Sequence, residues 1–204
     1  MQSPHDVTRA FEAALCEYTG AKYAVTTTSC TMALTMALAW HREKNGPQVL
    51  SVPDHTYIGV PSAVLNAGHQ VRFERDKWVG DYGISTAGGV VYDCAWTLQR
   101  GMFGAGEVLC LSFHWTKPLG LGQGGVILHD DDDADAWLRR ARFDGRNEGV
   151  HPKDDVIQFP NWHAYMSPET AATGLMRLQT GAIRTNHTAR WDDYPDISQQ
   201  EAFK

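Results

Sequence analysis

The residues best suited to chemistry stand directly after three apolar runs of the chain. Thr27–Thr31 (TTSCT) follows the run KYAVT, and a junction of this kind, opening a helix, aims hydroxyls and backbone N–H groups at an anion. Asp93 ends the run VVY, at the carboxyl edge where α/β sheets place ligands. Lys117 follows VLCL and Ser112 among aromatic residues and glycines, a setting that lowers the pKa of an amine by desolvation.

Each of these features also has a simpler explanation. Ser29 is a good helix cap, Asp93 could cap the next turn, and a single lysine is more often an ordinary surface residue. Together, however, they supply a phosphate cradle, a carboxylate for a pyridinium nitrogen and an amine that forms an imine. That combination is the protein side of pyridoxal 5′-phosphate (PLP) chemistry, which the sequence therefore predicts.

Three other patterns predict no site. Gly120, Gly122 and Gly125 form a GxGxxG, but it precedes a strand instead of opening a helix, so it indicates a flexible turn. The run 130–133 (DDDD) lacks the alternating spacing of a calcium loop and suits the start of a helix. The nine histidines show neither HExxH nor paired zinc spacing, so we predict no metal site.

The elements that must position these residues begin in a βαβαβ order. The apolar periodicity predicts helices over 5–18, 31–41 and 56–67 and strands over 22–28, 48–53 and 70–75. This order predicts parallel strands joined by helical crossovers. The pattern is then interrupted by a polar, glycine-rich segment, residues 76–89, in which a short strand is neither indicated nor excluded.

The second half of the chain continues with buried strands and two helices. The strands are predicted over 90–92, 108–113 and 126–129, and their nearly continuous hydrophobicity is typical of strands covered on both faces. A helix is predicted over 131–143. Another begins at Ser167-Pro168, a capping serine followed by proline, and runs toward Arg190.

Composition excludes several classes of protein. The chain has 204 residues, of which 43% are hydrophobic and 21% charged, as in ordinary globular proteins. Its net charge is -6 without a basic stripe, so neither nucleic acid nor a membrane is an expected partner. The four cysteines are scattered without a CxxC pair, which favours a reduced, cytoplasmic protein.

The sequence resembles the DegT/DnrJ/EryC1/StrS aminotransferases, a fold-type I PLP family that includes many nucleotide-sugar aminotransferases. The resemblance runs in order from about residue 9 to residue 194. It is carried by the segments FEAALCEYTGAKYAV, TTTSCTMALTMAL, VPDHTYIGVPSAVLNAGHQVRF, YDCAW, SFHWTKPLGLGQGGVILHDD, RARFDGR and NWHAYMSPETAATGLMRLQ. It implies an α/β three-layer sandwich with a mostly parallel central sheet.

The resemblance also implies roles for individual residues. Lys117 would carry the cofactor covalently and act as the catalytic base, and Asp93 would pair with the pyridine nitrogen. The phosphate would lie at Ser29, Cys30, Thr31 and Ser112, with Tyr57 stacked on the ring. Trp96 stands where the family has Gln or His beside the ring oxygen. The family's asparagine, which reaches the phosphate of the partner subunit, aligns with His163, and Asn161 lies two positions away.

The chain also departs from the family. By the resemblance, we expect that a helix–strand unit is missing between Phe73 and Val90 and that the chain lacks the family's usual small C-terminal domain. We therefore expect a minimal version, with a single PLP-binding domain over residues 1–194 and a polar, flexible tail over residues 195–204.

The function implied is a ping-pong transamination. An amino group would move from a donor such as L-glutamate to a keto acceptor, for which the family suggests a nucleotide-linked keto sugar. We expect a homodimer with the site at its interface. The alternatives are another PLP enzyme, such as a sugar dehydratase or decarboxylase, a non-catalytic binding module, and a subunit completed by a second polypeptide.

Overall fold

The computed structural model describes residues 3–159 and 161–203; residues 1, 2 and 160 of the predicted domain and residue 204 of the predicted tail lie outside this range. The helices are α1 Asp6–Thr19, α2 Cys30–Asn45, α3 Gly59–Asn66, α4 Asp132–Ala141 and α5 Pro168–Thr180. The strands are β1 Tyr23–Thr27, β2 Val49–Pro53, β3 Gln70–Glu74, β4 Tyr82–Thr86, β5 Gly89–Asp93, β6 Val108–Ser112 and β7 Gly125–His129. Short 3-10 turns follow at Trp191–Asp193, Ile197–Gln199 and Glu201–Phe203. In the part of the chain described, no helix has the length and apolarity to cross a membrane.

Five of the seven described strands form a central sheet covered on both faces, so the predicted α/β sandwich is confirmed. Side chains alternate along each strand, and in β7 Val126 and Leu128 pack with α1 and α5, whereas Ile127 packs with α2. Helix α2 lies deepest, with all of residues 33–41 buried. The core therefore has two halves, one on each side of the sheet.

The strand directions differ from the parallel pattern that was predicted. The main sheet has the order β1-β7-β6-β5-β4, and only β5–β6 in it is parallel; β2 and β3 form a separate parallel pair. Strand β4 runs antiparallel to β5 because only Ala87 and Gly88 join them, and a connection this short cannot return a strand in parallel. The polar segment 76–89 thus contains a strand but no helix.

Helix α5 is shorter than predicted, and the C-terminal segment makes defined contacts. Helix α5 begins as predicted, with Ser167 Oγ accepting from Thr170 N, but it ends at Thr180 because Gly181 adopts a left-handed conformation (φ 69°). The predicted tail packs as far as Phe203. Ile197 is buried, and the ring of Phe203 lies 5.4 Å from that of Phe73 in β3.

Candidate active site

A cavity of about 350 Å³ opens where β5 and β6 end and α2 begins. It brings together eight of the ten residues predicted for the site. They are Ser29, Cys30, Thr31, Tyr57, Asp93, Trp96, Ser112 and Lys117. The grouping follows from the fold, because β5 and β6 are parallel and therefore end at the same edge of the sheet.

One wall of the cavity is the start of α2. Ser29 caps the helix, with its Oγ accepting from Met32 N at 3.1 Å. The amides of the first turn have no acceptor within the helix, and with the helix dipole they favour an anion. Strand β7 abuts this turn so closely that a Cβ on Gly125 would lie 2.5 Å from Cys30 N. Ser112 faces the same cavity from the end of β6.

Asp93 is the acid at the base of the cavity. Its Oδ1 accepts from Ala95 N at 3.0 Å, and its Oδ2 accepts from the Tyr82 hydroxyl at 3.3 Å. Burial raises the pKa of Asp93 to about 6, although the Ala95 amide and the charge of Lys117 act in the opposite direction. The carboxylate therefore lies in a desolvated site, where a protonated ring nitrogen would be a favourable partner.

Lys117 lines the same cavity and is half-buried, and its Nζ lies 3.0 Å from the centroid of the Trp96 ring. Desolvation lowers the pKa of this amine to about 8, while the charge of Asp93 works against the shift. A lysine with this pKa has a useful neutral fraction near pH 7, which nucleophilic attack on a carbonyl requires.

The loop that presents Lys117 is fastened by arginines that the sequence did not single out. Arg177 in α5 donates through Nη1 to Leu119 O at 2.8 Å and to Gly120 O at 2.5 Å. The backbone N–H of Arg184 donates to Pro118 O at 2.9 Å. Because these bonds hold the segment after Lys117, they position the amine without touching the cavity.

Aromatic side chains form the remaining wall. Tyr57 lies at the mouth of the cavity and is 58% exposed. Gly59 lets Tyr57 and Thr31 approach each other closely, because a Cβ on Gly59 would lie 2.8 Å from the Tyr57 ring and overlap the Thr31 hydroxyl. Trp96 donates through Nε1 to the Tyr194 hydroxyl at 3.1 Å. Several residues of this wall were not predicted from the sequence, Tyr82 and Tyr194 among them. Tyr82 lies in the polar segment and Tyr194 in the C-terminal one, and only pairing with β5 and packing of that segment bring them here.

Asn161 and His163 do not line this chain's own cavity. His163 is exposed, and its Nδ1 lies 2.8 Å from Asp144 Oδ2. Asn161 Oδ1 accepts from the neighbouring Trp162 N at 3.1 Å. Their predicted role concerns the site of a partner subunit, which a single chain cannot display.

The profile of the DegT/DnrJ/EryC1/StrS aminotransferase family matches residues 3–75 and 90–192. No curated protein matches the sequence. Among solved structures, similar folds include Helicobacter pylori PseC, an aminotransferase involved in the biosynthesis of pseudoaminic acid (16% identity, TM-score 0.70). The sugar aminotransferase CalS13 from Micromonospora echinospora (17%, 0.67) and a DegT DnrJ EryC1 StrS aminotransferase from Brucella abortus (21%, 0.63) are further examples.

These similarities cover most of this chain but only part of each relative. They span 87%, 86% and 86% of the present chain and 58%, 61% and 59% of the PseC, CalS13 and Brucella chains. At such low identity they establish the fold. The family profile does not match residues 76–89 of this chain. This span contains β4 and the turn into β5, where the strand direction also differs from the prediction.

Proposed function

The chain belongs to the DegT/DnrJ/EryC1/StrS aminotransferase family, and on this basis we propose that it is a PLP-dependent aminotransferase with its site in the cavity described above. The observation that carries the proposal is the convergence of Lys117, Asp93 and the start of α2 on one cavity. No single one of these features is specific, but PLP needs an amine, a carboxylate and an anion cradle at the same place.

The residues present fit the cofactor group by group. The phosphate would be held by the first turn of α2, from Ser29 to Thr31, and by Ser112. Gly125 packs against this turn without a side chain between them. Asp93 would keep the ring nitrogen protonated. Trp96 would lie beside the ring, and Tyr57 would cover its face from the mouth of the cavity.

PLP, when bound, supplies an electron sink that stabilises negative charge on the Cα of an amino acid. The protein's part is to hold and move the proton. The Lys117 amine, with its pKa lowered to about 8, is suited to take a proton from the donor Cα and to return one. Trp96, directly against Lys117 Nζ, shields one side of the amine from water.

For the substrates we propose L-glutamate or a similar amino donor and a keto sugar, nucleotide-linked, as acceptor. PseC is described as acting in pseudoaminic acid biosynthesis, and CalS13 is described as a sugar aminotransferase. The cavity of about 350 Å³ opens to solvent beside exposed Tyr57, which leaves room for a large acceptor outside it.

The proposal is tested by the absorbance spectrum of the purified chain with PLP. We expect a visible band in the wild type that Lys117→Ala loses and that Lys153→Ala, at an exposed loop lysine, retains. Adding L-glutamate should then bleach the band, because transamination returns the cofactor in its amine form. A spectrum that is the same for wild type and Lys117→Ala would overturn the proposal, and a band that glutamate leaves unchanged would favour a dehydratase or decarboxylase.

We also infer that the working form is a homodimer. Asn161 and His163 lie outside their own cavity, and the same segment exposes Val156 and Ile157 by 72% and 62%. Exposed apolar side chains of this kind favour an interface. Sedimentation velocity should give a dimer for the wild type and a monomer for Val156→Glu/Ile157→Glu. A wild-type monomer that binds no PLP would instead indicate a subunit completed by a second polypeptide.

A cytoplasmic location is proposed on chemical grounds only. The four cysteines are free thiols, and burial raises the pKa values of Cys30, Cys94 and Cys110. Such thiols are unreactive packing groups and are typical of proteins that stay in a reducing compartment.

A further inference from the structure

A second cluster of ligand-type side chains lies outside the cavity. Asp54 and His55 directly follow β2, and Asp196 comes from the C-terminal segment. Each of the three offers a ligand atom, and these atoms all lie within 4.8 Å of one another. The cluster is invisible to spacing rules, because two of its members are adjacent and the third is far away in the sequence.

The backbone holds the two segments of the cluster together. His55 and Asp196 form an antiparallel bridge, and Ile197 N donates to Asp54 O at 2.9 Å. Ile197 itself is buried, with 3% of its surface exposed. The three side chains are therefore brought together by main-chain pairing and apolar packing, before any ligand is considered.

Asp54 is the member that points most directly to a ligand. It is only 8% exposed, and among the described residues its Oδ1 has no hydrogen-bond partner. The other oxygen, Oδ2, lies 3.5 Å from Nε of Arg75, whose side chain is 73% exposed. A buried carboxylate oxygen without a partner is costly, so an additional cationic or donor group is expected at this position.

His55 and Asp196 each keep one ligand atom free. The Nδ1 of His55 lies 2.8 Å from Tyr194 O, and because a carbonyl can only accept, Nδ1 carries the proton and Nε2 keeps its lone pair. Metal-binding histidines typically donate their second N–H to a carbonyl in this way. In Asp196, Oδ1 accepts from Ser198 N at 3.1 Å and from Ser198 Oγ at 2.6 Å, which leaves Oδ2 available.

We propose that Asp54, His55 and Asp196 bind one first-row divalent cation, with Zn²⁺ as the representative ion. One imidazole nitrogen with two carboxylate oxygens is a donor set that Zn²⁺ accepts, whereas Ca²⁺ and Mg²⁺ prefer oxygen ligands alone. The cation joins the end of β2 to the segment containing Tyr194. It thereby fixes the cavity wall, because Tyr194 and Thr56 both line the cavity.

The experiment is a calorimetric titration of the full chain with Zn²⁺. We expect one site in the wild type, weakened at least about tenfold (~1.4 kcal/mol) by Asp54→Asn and by Asp196→Asn. Asp192→Asn is the matched control, because Asp192 is an exposed acid four positions away that pairs with Arg190. We expect its affinity to stay within about twofold of the wild type.

A stability measurement separates loss of the site from loss of the fold. Zn²⁺ should raise the unfolding midpoint of the wild type and Asp192→Asn, and leave Asp54→Asn, Asp196→Asn and His55→Gln unchanged. Circular dichroism without metal identifies folded variants, and His55→Gln replaces any variant that fails to fold. The proposal is wrong if the wild type binds no Zn²⁺, or if the cluster variants bind it as well as the wild type does.

Discussion

At the scale of single residues, the cavity is governed by the burial of two opposite charges. Burial raises the pKa of Asp93 and lowers that of Lys117, while the attraction between the two works against both shifts. Near neutral pH, with a pKa of about 8, Lys117 has a neutral fraction of roughly a tenth, far above that of an exposed lysine. The site therefore contains a carboxylate and an available amine at the same pH.

The rate at which the chain captures PLP should rise with pH through a midpoint of about 8, because only the neutral amine attacks. Stopped-flow absorbance from about pH 6.5 to 11 measures this rate, with Nα-acetyl-lysine as the reference amine. Asp93→Asn should move the midpoint lower, since the charge of Asp93 raises the pKa of Lys117. A wild-type midpoint near the ordinary value of 10.5 would show that the amine is not desolvated.

The residues that the sequence could identify are those set by local position. Ser29, Asp93 and Lys117 each follow an apolar run, so a strand end and a chemical type were enough to predict their meeting. Tyr82 and Tyr194 could not be found in this way. Tyr82 reaches the cavity through its pairing opposite Asp93, and Tyr194 through the packing of a mostly polar segment. Both depend on contacts between segments, which a single sequence does not display.

At the scale of elements, the junction of α2 with β7 sets the anion cradle. Gly125 opens β7 directly beneath Ser29 and Cys30, and there is no space for a side chain between them. The same closeness keeps the first turn of α2 in place against the sheet. This packing therefore keeps the N-terminal turn of α2 ordered, so that its backbone amides are held in place for an anion.

Gly125→Ala should weaken PLP binding at least about tenfold and lower the free energy of unfolding by about 1–3 kcal/mol, because the added Cβ overlaps the backbone at Cys30. Fluorescence titration and urea unfolding measure the two effects. Gly46→Ala is the control, since its Cβ meets nothing within 4 Å and only its positive φ (76°) is strained. Equal PLP affinities in the two variants would contradict the role given to the junction.

The elements themselves were largely predictable, and their directions were not. Each helix predicted from apolar periodicity is present, and the boundaries shift by a few residues, apart from the far end of α5. Strand β4 could not be predicted or excluded from the sequence, because its pattern, in which buried Tyr82 and Ile84 alternate with exposed Gly83 and Ser85, is short and weakly apolar. Its direction depends on the length of the turn at 87–88, a feature that the pattern of buried residues does not encode.

At the scale of the whole molecule, one buried ion cluster joins distant parts of the chain. Glu12 in α1 contacts Arg142, which is buried after α4, and accepts from Arg139 Nη1 at 2.8 Å and Thr26 N at 2.9 Å. Burial raises the pKa of Glu12, but the guanidinium groups of Arg142 and Arg139 outweigh it and hold the pKa below its ordinary value. The cluster connects α1, β1 and α4 around the site-bearing sheet.

Glu12→Gln should lower the free energy of unfolding by about 3 kcal/mol near pH 7, because buried Arg142 loses its principal counter-charge and keeps only Glu148, whose Oε2 lies 3.4 Å from Arg142 Nη2. Since the folded pKa of Glu12 lies below 4.5, this stabilisation is present above pH 4.5 and is lost as pH falls through the folded value. Urea unfolding at several pH values measures both. Glu17→Gln, at an exposed position of the same helix, should change little; a similar loss in both variants would rule out the cluster as the cause.

The hairpin of β4 and β5 has a kinetic consequence. A two-residue turn joins the two strands, so the residues that pair are close together in the sequence. Their pairing therefore does not require the slow closure of a long loop. Hairpins of this kind form within about 1–10 μs, earlier than pairings that close long loops. Because Tyr82 lies directly opposite Asp93, we expect the acid of the site to meet its hydroxyl partner before Lys117 is in place, since Lys117 requires β6 to join the sheet.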